Sequence, residues 1–219
     1  LWVLKCDIKK FFASIDQTIL LRLFQINAIA GSWDNNLFKL IKEVVTSFYS
    51  TKIGVGLPLG NLTSQLFANV YLNELDQFIK HNLKQKYYLL YADDFLIMNQ
   101  DKEMLMGILP KVGDFLTENL KLNLHPNKIF LKTVASGVDF LGWVHFPDHR
   151  ILRTSTKKRM MRNLHQGSAS LESVTSYLGL LGWGSGWKLN AWLLSPPEST
   201  VSSYDIRCFL LLVTWAFCL

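Results

Sequence analysis

The stretch YLLYADDFLIM, residues 88–98, sets two adjacent carboxylates, Asp93 and Asp94, in a run that is otherwise almost wholly apolar. Burying an unpaired charge is costly, and two acids in contact also repel one another. A chain that keeps them there needs a compensating positive charge. The flanking runs YYLLYA and FLIM read as a β-hairpin. Two-residue hairpin turns favour Asn-Gly or Asp-Gly, because the turn demands positive φ. Asp-Asp is poor turn chemistry, so turn quality has been given up for carboxylates.

A third acid, Asp7, ends the apolar opening LWVLKC, which reads as a buried strand. Strands of one sheet can bring such residues together across a large gap in sequence. Carboxylates at neighbouring strand ends bind hard cations, and magnesium takes few protein carboxylates together with substrate phosphates. Two such ions about 3.5–4 Å apart clamp the attacking and leaving oxygens of a phosphoryl transfer. On spacing alone the alternative stays open that Asp93 and Asp94 cap a turn and Asp7 is a surface acid.

Composition sets bounds around this. The chain has 219 residues, enough for one sizeable core or two small ones. An apolar content of 49% with 18% charged residues excludes wholesale disorder. The net charge of +6 and pI near 9.2 favour a polyanionic partner without identifying one. Cys6, Cys208 and Cys218 show no metal-ligand spacing and no disulfide framework, which suits a reducing, cytoplasmic compartment. The opening is not a signal peptide, and a strand that begins at once without Met suggests a fragment. The apolar end IRCFLLLVTWAFCL is shorter than the ~18–20 residues of a membrane span, so no membrane partner is expected.

Along the chain, SIDQ offers Ser14 as an N-cap and Gln17 as its capping-box partner, ahead of a helix carrying Ile15, Ile19, Leu20, Leu23 and Phe24. A second helix runs through NLFKLIKEVVTSFY. The punctuated loop GVGLPLGNLTSQ precedes a long helix with Leu66, Phe67, Val70, Leu72, Leu75, Phe78, Ile79 and Leu83 on its apolar side. After the acid hairpin come a helix broken or kinked at Pro110, a strand in NKIFLKT, and a turn-and-strand unit in GVDFLGWVHF closed by the tight turn PDHR. Arg150, Arg153, Lys157, Lys158, Arg159 and Arg162 form a basic cluster partly on a helix, and SLESVTSYLGLLGW is a shorter amphipathic segment. Beyond Trp183 no periodic element fits, and residues 184–219 read as an unassigned tail, disordered or out of frame.

The blocks DIKKFFASID, GLPLGNLTSQLFANVYLNELD, YADD, LNLHPNK and FLGW occur in the order found in reverse transcriptases of bacterial retroelements, and the chain resembles that family from Leu1 to Trp183. The resemblance implies an α+β right-hand polymerase palm, an antiparallel sheet backed by helices, over 1–149, with a partial thumb over 150–183. It implies an RNA-directed DNA polymerase with an RNA template, a DNA or RNA primer and deoxynucleotides as partners, and a small basic accessory protein as a further candidate. It also implies two Mg2+ ions, with Mn2+ as the substitute, on Asp7, Asp93 and Asp94; of the YADD acids the first is the firmer ligand. Phe12 falls at the position of the family's steric gate, where a ring beneath the sugar excludes a 2′-hydroxyl; an ordinary core role suits Phe11 better. Ile8, Leu59, Gly60, Gln65 and Lys128 map to the nucleotide site, although Lys128 also suits an exposed surface position. Tyr91, Gly142, Trp143, Lys157, Lys158, Arg159 and Arg162 map to primer and template contacts.

The loop separates subfamilies. Most retroelement enzymes carry glutamine at the position of Leu59 and proline at that of Gln65. The pattern L-G-x-x-x-S-Q is similar to diversity-generating retroelements, whose enzymes copy a template RNA with frequent errors at adenines. The family's fingers would precede Leu1, and the thumb ends early, which puts the activity of this chain in question. The rivals are an intron-encoded or defence-associated bacterial reverse transcriptase, and an inactive palm that only binds nucleic acid or a partner.

Overall fold

The computed structural model describes residues 1–31, 35–50, 52–165 and 170–185. Most of the expected tail, with Cys208 and Cys218, lies outside the described residues. The chain divides into two compact units, 1–133 and a second beginning at Val134.

The first unit opens with β1 (Trp2–Asp7), a short helical turn α1 (Phe11–Ser14), α2 (Gln17–Gly31) and α3 (Asn35–Thr46). Then come α4 (Leu62–Gln77), extended by a π-helical turn Phe78–Asn82, and the hairpin β2 (Tyr87–Tyr91) and β3 (Asp94–Asn99). It ends with α5 (Lys102–Leu120), a 3-10 turn at Pro126–Lys128, and β4 (Phe130–Thr133). The four strands form an antiparallel sheet in the order β2-β3-β1-β4.

Alternation along the strands decides which residues are covered. Leu4, Cys6, Phe95 and Ile97 point into one core with Phe67, Tyr71, Leu72 and Leu75 of α4 and Leu105, Ile108, Val112 and Leu116 of α5. Lys5, Asp7 and Asp94 take the alternate positions and so fall on the sheet face away from that core. The fold class is thus α+β with antiparallel strands backed by helices.

Four local expectations are corrected. The cap of α2 is Asp16, whose Oδ1 accepts from Thr18 N–H at 2.9 Å and Ile19 N–H at 3.0 Å. Ser14 ends α1, and Gln17 is buried with its amide donated to the carbonyls of Phe48 and Gly56. A carboxylate at the N-cap, immediately before the first turn, outcompetes the hydroxyl because it reaches two orphan N–H groups. Leu66, expected on the apolar side of α4, is 59% exposed, and the helix starts at Leu62, within the stretch read as loop. Pro110 does not break α5, which runs unbroken from Lys102 to Leu120. Five buried side chains, Leu105, Ile108, Val112, Leu116 and Leu120, hold both halves to the core and offset the roughly 3 kcal/mol that an interior proline costs. Last, Tyr91 pairs with Asp94, so the turn dipeptide is Ala92-Asp93 and not Asp-Asp. Ala92 takes the positive φ (51°), while Asp94 already belongs to the strand.

The second unit carries β5 (Val138–Phe140), β6 (Trp143–His145) and β7 (Arg150–Leu152) in an antiparallel sheet, then α6 (Thr154–His165) and α7 (Leu171–Gly182). Leu141 and Gly142 both have positive φ in the β5–β6 turn, a conformation that glycine makes accessible. Trp143, Leu152, Met160 and Leu181 form its small core. The compact units therefore divide after Thr133 and not between 149 and 150, because Arg150 is paired with His145 inside a continuous three-stranded sheet.

Tyr71, which carried no signal in the sequence, ties two helix ends to the middle of α4. Its buried hydroxyl donates to Leu120 O (2.7 Å) at the end of α5 and accepts from Asp16 N–H (3.3 Å) at the start of α2. Tyr71→Phe leaves both groups unpaired in the core, at about 1–3 kcal/mol. The thermal midpoint of the chain should fall by about 2–8 °C, read by circular dichroism; an unchanged midpoint would mean that neither bond contributes to stability.

Candidate active site

The acids meet because of strand register. In the β1–β3 ladder Asp7 lies directly opposite Asp94, and the next rung is the Ile8 N–H donated to Asp93 O at 2.9 Å. Asp7, Asp93 and Asp94 thus gather where β1 ends and the hairpin turns. Asp7 is 5% exposed and the other two are half-buried.

Two ammonium groups partly balance these charges. Lys128, on the 3-10 turn, donates from Nζ to Asp7 Oδ2 at 2.8 Å. Lys5, diagonal to Asp94 on the same sheet face, places Nζ 3.6 Å from Asp94 Oδ2. Burial pushes the Asp94 carboxyl above its ordinary range; Lys5 pulls it down, and Asp7 and Asp93 push it up again. The hydrogen bond to Asp7 raises the Lys128 ammonium above the ordinary lysine range, and the three carboxylates add to this. Burial pushes the neighbouring Cys6 thiol up to about 12, so it stays protonated and takes no part.

Three hard carboxylate oxygen donors, already drawing two cations, fit a divalent metal such as magnesium. Among the described residues no three His, Cys, Asp or Glu side chains form a finished ligand cage.

The other expected residues divide between the units. The Ile8 side chain is fully buried in the core, and its N–H is donated to Asp93 O at 2.9 Å. Phe12 is half-buried and meets Phe11 edge-on at 5.2 Å, whereas Phe11 is core. The Phe12 carbonyl accepts the Leu57 N–H at 2.8 Å, which ties the glycine-rich loop to this residue. Two residues on, Leu59 is 78% exposed; Gly60 has φ of 90°, and Gln65 is exposed. Tyr91 is exposed at the end of β2. In the second unit Gly142 is a turn residue and Trp143 is buried in the small core beneath Arg150, so its ring packs within the protein. Lys157, Lys158, Arg159 and Arg162 are exposed on α6, while Arg153 is paired with Asp139 and Arg150 with the Trp183 carbonyl. Sequence reasoning missed Lys5, although a lysine at strand spacing from Asp7, within an apolar run, was the available signal.

Comparison with known proteins identifies the family. The profile for the reverse transcriptase (RNA-dependent DNA polymerase) family matches residues 1–145. The group II intron-encoded protein LtrA of Lactococcus lactis subsp. cremoris is 24% identical over 221 residues, covering 72% of this chain and 36% of LtrA. Protein YkfC of Escherichia coli K12 is 26% identical over 196 residues, covering 74% of this chain and 49% of YkfC. The chain therefore spans less than half the length of these relatives. Among solved structures, telomerase from Candida albicans superposes with a TM-score of 0.54 at 14% identity, covering 99% of this chain and 40% of that one. A foamy viral protease-reverse transcriptase superposes at 0.52 and 18% identity, covering 98% and 35%. Both likenesses concern the fold. No described helix is long and apolar enough to cross a membrane. With about two thirds of its length, residues 1–145, matched by one family profile, the chain belongs to the reverse transcriptase (RNA-dependent DNA polymerase) family.

Proposed function

We propose that the chain is the palm of an RNA-directed DNA polymerase, which joins a primer 3′-hydroxyl to the α-phosphate of a deoxynucleotide on an RNA template and releases pyrophosphate. The observation that carries this is the register that sets Asp7 opposite Asp94, with Asp93 on the adjoining turn. Asp7 and Asp93, with Asp94 in support, would hold Mg2+, or Mn2+ in its place. The bound ions supply Lewis-acid stabilisation to the transferring phosphoryl group.

The chain's own residues do the rest. Lys5 keeps a positive charge beside Asp94. Phe12 closes the space beneath the sugar, Tyr91 offers a ring to the primer end, and Lys128 stands where a triphosphate would meet Asp7. The exposed bases of α6 suit a phosphate backbone, since counterion release favours Lys and Arg there. Longer relatives support testing these roles in the full-length protein, with the segments that the chain here does not span.

Asp93→Asn should lower metal-dependent primer extension by about a thousandfold or more, because a lost metal ligand removes several kcal/mol of transition-state stabilisation. Extension at near-parent rate would remove Asp93 from the metal site. Phe12→Ala should lower the preference for deoxynucleotides over ribonucleotides, measured as the ratio of kcat/KM values, because the pocket discriminates by shape. A constant ratio in an active variant returns Phe12 to the core.

The finer reading is a diversity-generating retroelement enzyme that makes error-prone cDNA. Its support is the loop: Leu59 presents an apolar, exposed side chain two residues from the Leu57–Phe12 link, where most of the family carries an amide. The curated relatives, named as intron-encoded proteins, favour the second reading, an intron-type enzyme. Leu59→Gln decides between them. An amide that pairs only in correct geometry penalises mispairs by about 1–3 kcal/mol through its unsatisfied donors. The variant should copy template adenine more accurately than the parent, by cDNA sequencing on one RNA. Equal error rates at every base count against the diversity-generating reading.

A further inference from the structure

Lys128 and Lys5 both neutralise the acid cluster, but they are built differently. The Lys5 side chain is 14% exposed and rises from the middle of β1, so it has nowhere to withdraw. The Lys128 side chain is 53% exposed, on a single turn of 3-10 helix, and can swing into solvent. That turn is nonetheless fixed at its base: His125 N–H donates to Asp7 O at 2.8 Å, and His125 Nδ1 accepts from Asn127 N–H at 3.3 Å. The lysine is therefore tethered beside Asp7 whether or not its ammonium touches the carboxylate.

We propose that Lys128 is an exchangeable counter-ion: in the metal-free protein its ammonium occupies the cation seat on Asp7, and a divalent ion enters by displacing it. This rests on the metal-site reading above and adds a competitor to it. The Asp7 side chain is 8% exposed, and the ammonium stands 2.8 Å from its Oδ2. A magnesium-sized ion binds carboxylate oxygen at about 2.1 Å. Two cations on one nearly buried oxygen repel one another, so the more mobile leaves. Displacement would free the Lys128 ammonium at the mouth of the site, within reach of an incoming anionic group. Lys5, unable to leave, stays as the permanent charge on Asp94. Metal loading and release of Lys128 are then one event, and the lysine sets how much free metal the palm needs.

Two measurements on the 219-residue chain test this, with Mn2+ alone as the probe and no activity assay. The first is the Mn2+ dissociation constant, read from the free-ion signal in electron paramagnetic resonance. Lys128→Met should bind about fivefold more tightly than the parent, equivalent to about 1 kcal/mol for a partly exposed ion pair. Lys111→Met, which removes an exposed charge from α5, should change binding by less than about twofold. The second is acetylation of Lys128 by an amine-reactive ester, followed by mass spectrometry. Added Mn2+ should increase labelling of Lys128 in the parent, and Asp7→Asn should label at the higher level without metal. If the parent binds Mn2+ through Asp7 but Lys128→Met binds no tighter and Lys128 labelling is unchanged, the exchange is overturned while the metal site stands. If neither parent nor Lys128→Met binds Mn2+ in a manner that depends on Asp7, both readings fail.

Discussion

Everything at the candidate site depends on the antiparallel pairing of β1 with β3. Six successive residue pairs, from Trp2 with Asn99 to Asp7 with Asp94, fix which side chains share a face. A slip of one residue would turn Asp94 into the core and bring Phe95 out. The core prevents this, because Leu4, Cys6, Phe95 and Ile97 must all be covered by α4 and α5. Hydrophobic burial thus sets the position of the acids without touching them.

The same pairing concentrates a cost. Three carboxylates share a region that is partly shielded from water, and two lysines only partly offset them. Burial and repulsion act on Asp94 against the single pull of Lys5. A cluster with this balance attracts cations, which accords with a polymerase palm. The neighbouring Phe12–Leu57 bond brings the glycine-rich loop to the same end of β1, so cation chemistry and nucleotide selection would share one support.

Much of this was legible in the sequence because it was written in side-chain character at strand spacing. The hairpin follows from alternation, whereas the grouping of the three acids and the distinction between Phe11 and Phe12 came from the family resemblance. What escaped depended on geometry that no local pattern carries. Asp16 displaced Ser14 as a cap by two residues, and Ala92 rather than an acid took the left-handed turn position. Pro110 stayed inside a helix because tertiary packing outweighed its local penalty. Tyr71 was invisible because it acts on partners, Leu120 and Asp16, that only the fold brings near. A basic run is conspicuous in sequence, whereas the short strand pairing that carries Arg150 is not.

Ala92 has a wider meaning. A non-glycine residue held at φ of 51° stores about 1 kcal/mol or more of backbone strain. It does so beside carboxylates that repel one another, so strain and repulsion meet at the tip of this hairpin. Any ion that settles among the acids returns part of that cost to the folded state, and stability then rises with ion concentration by mass action. On the metal-binding reading, the palm's endurance would in this sense be borrowed from its surroundings, and the folded population would become a gauge of the ionic medium.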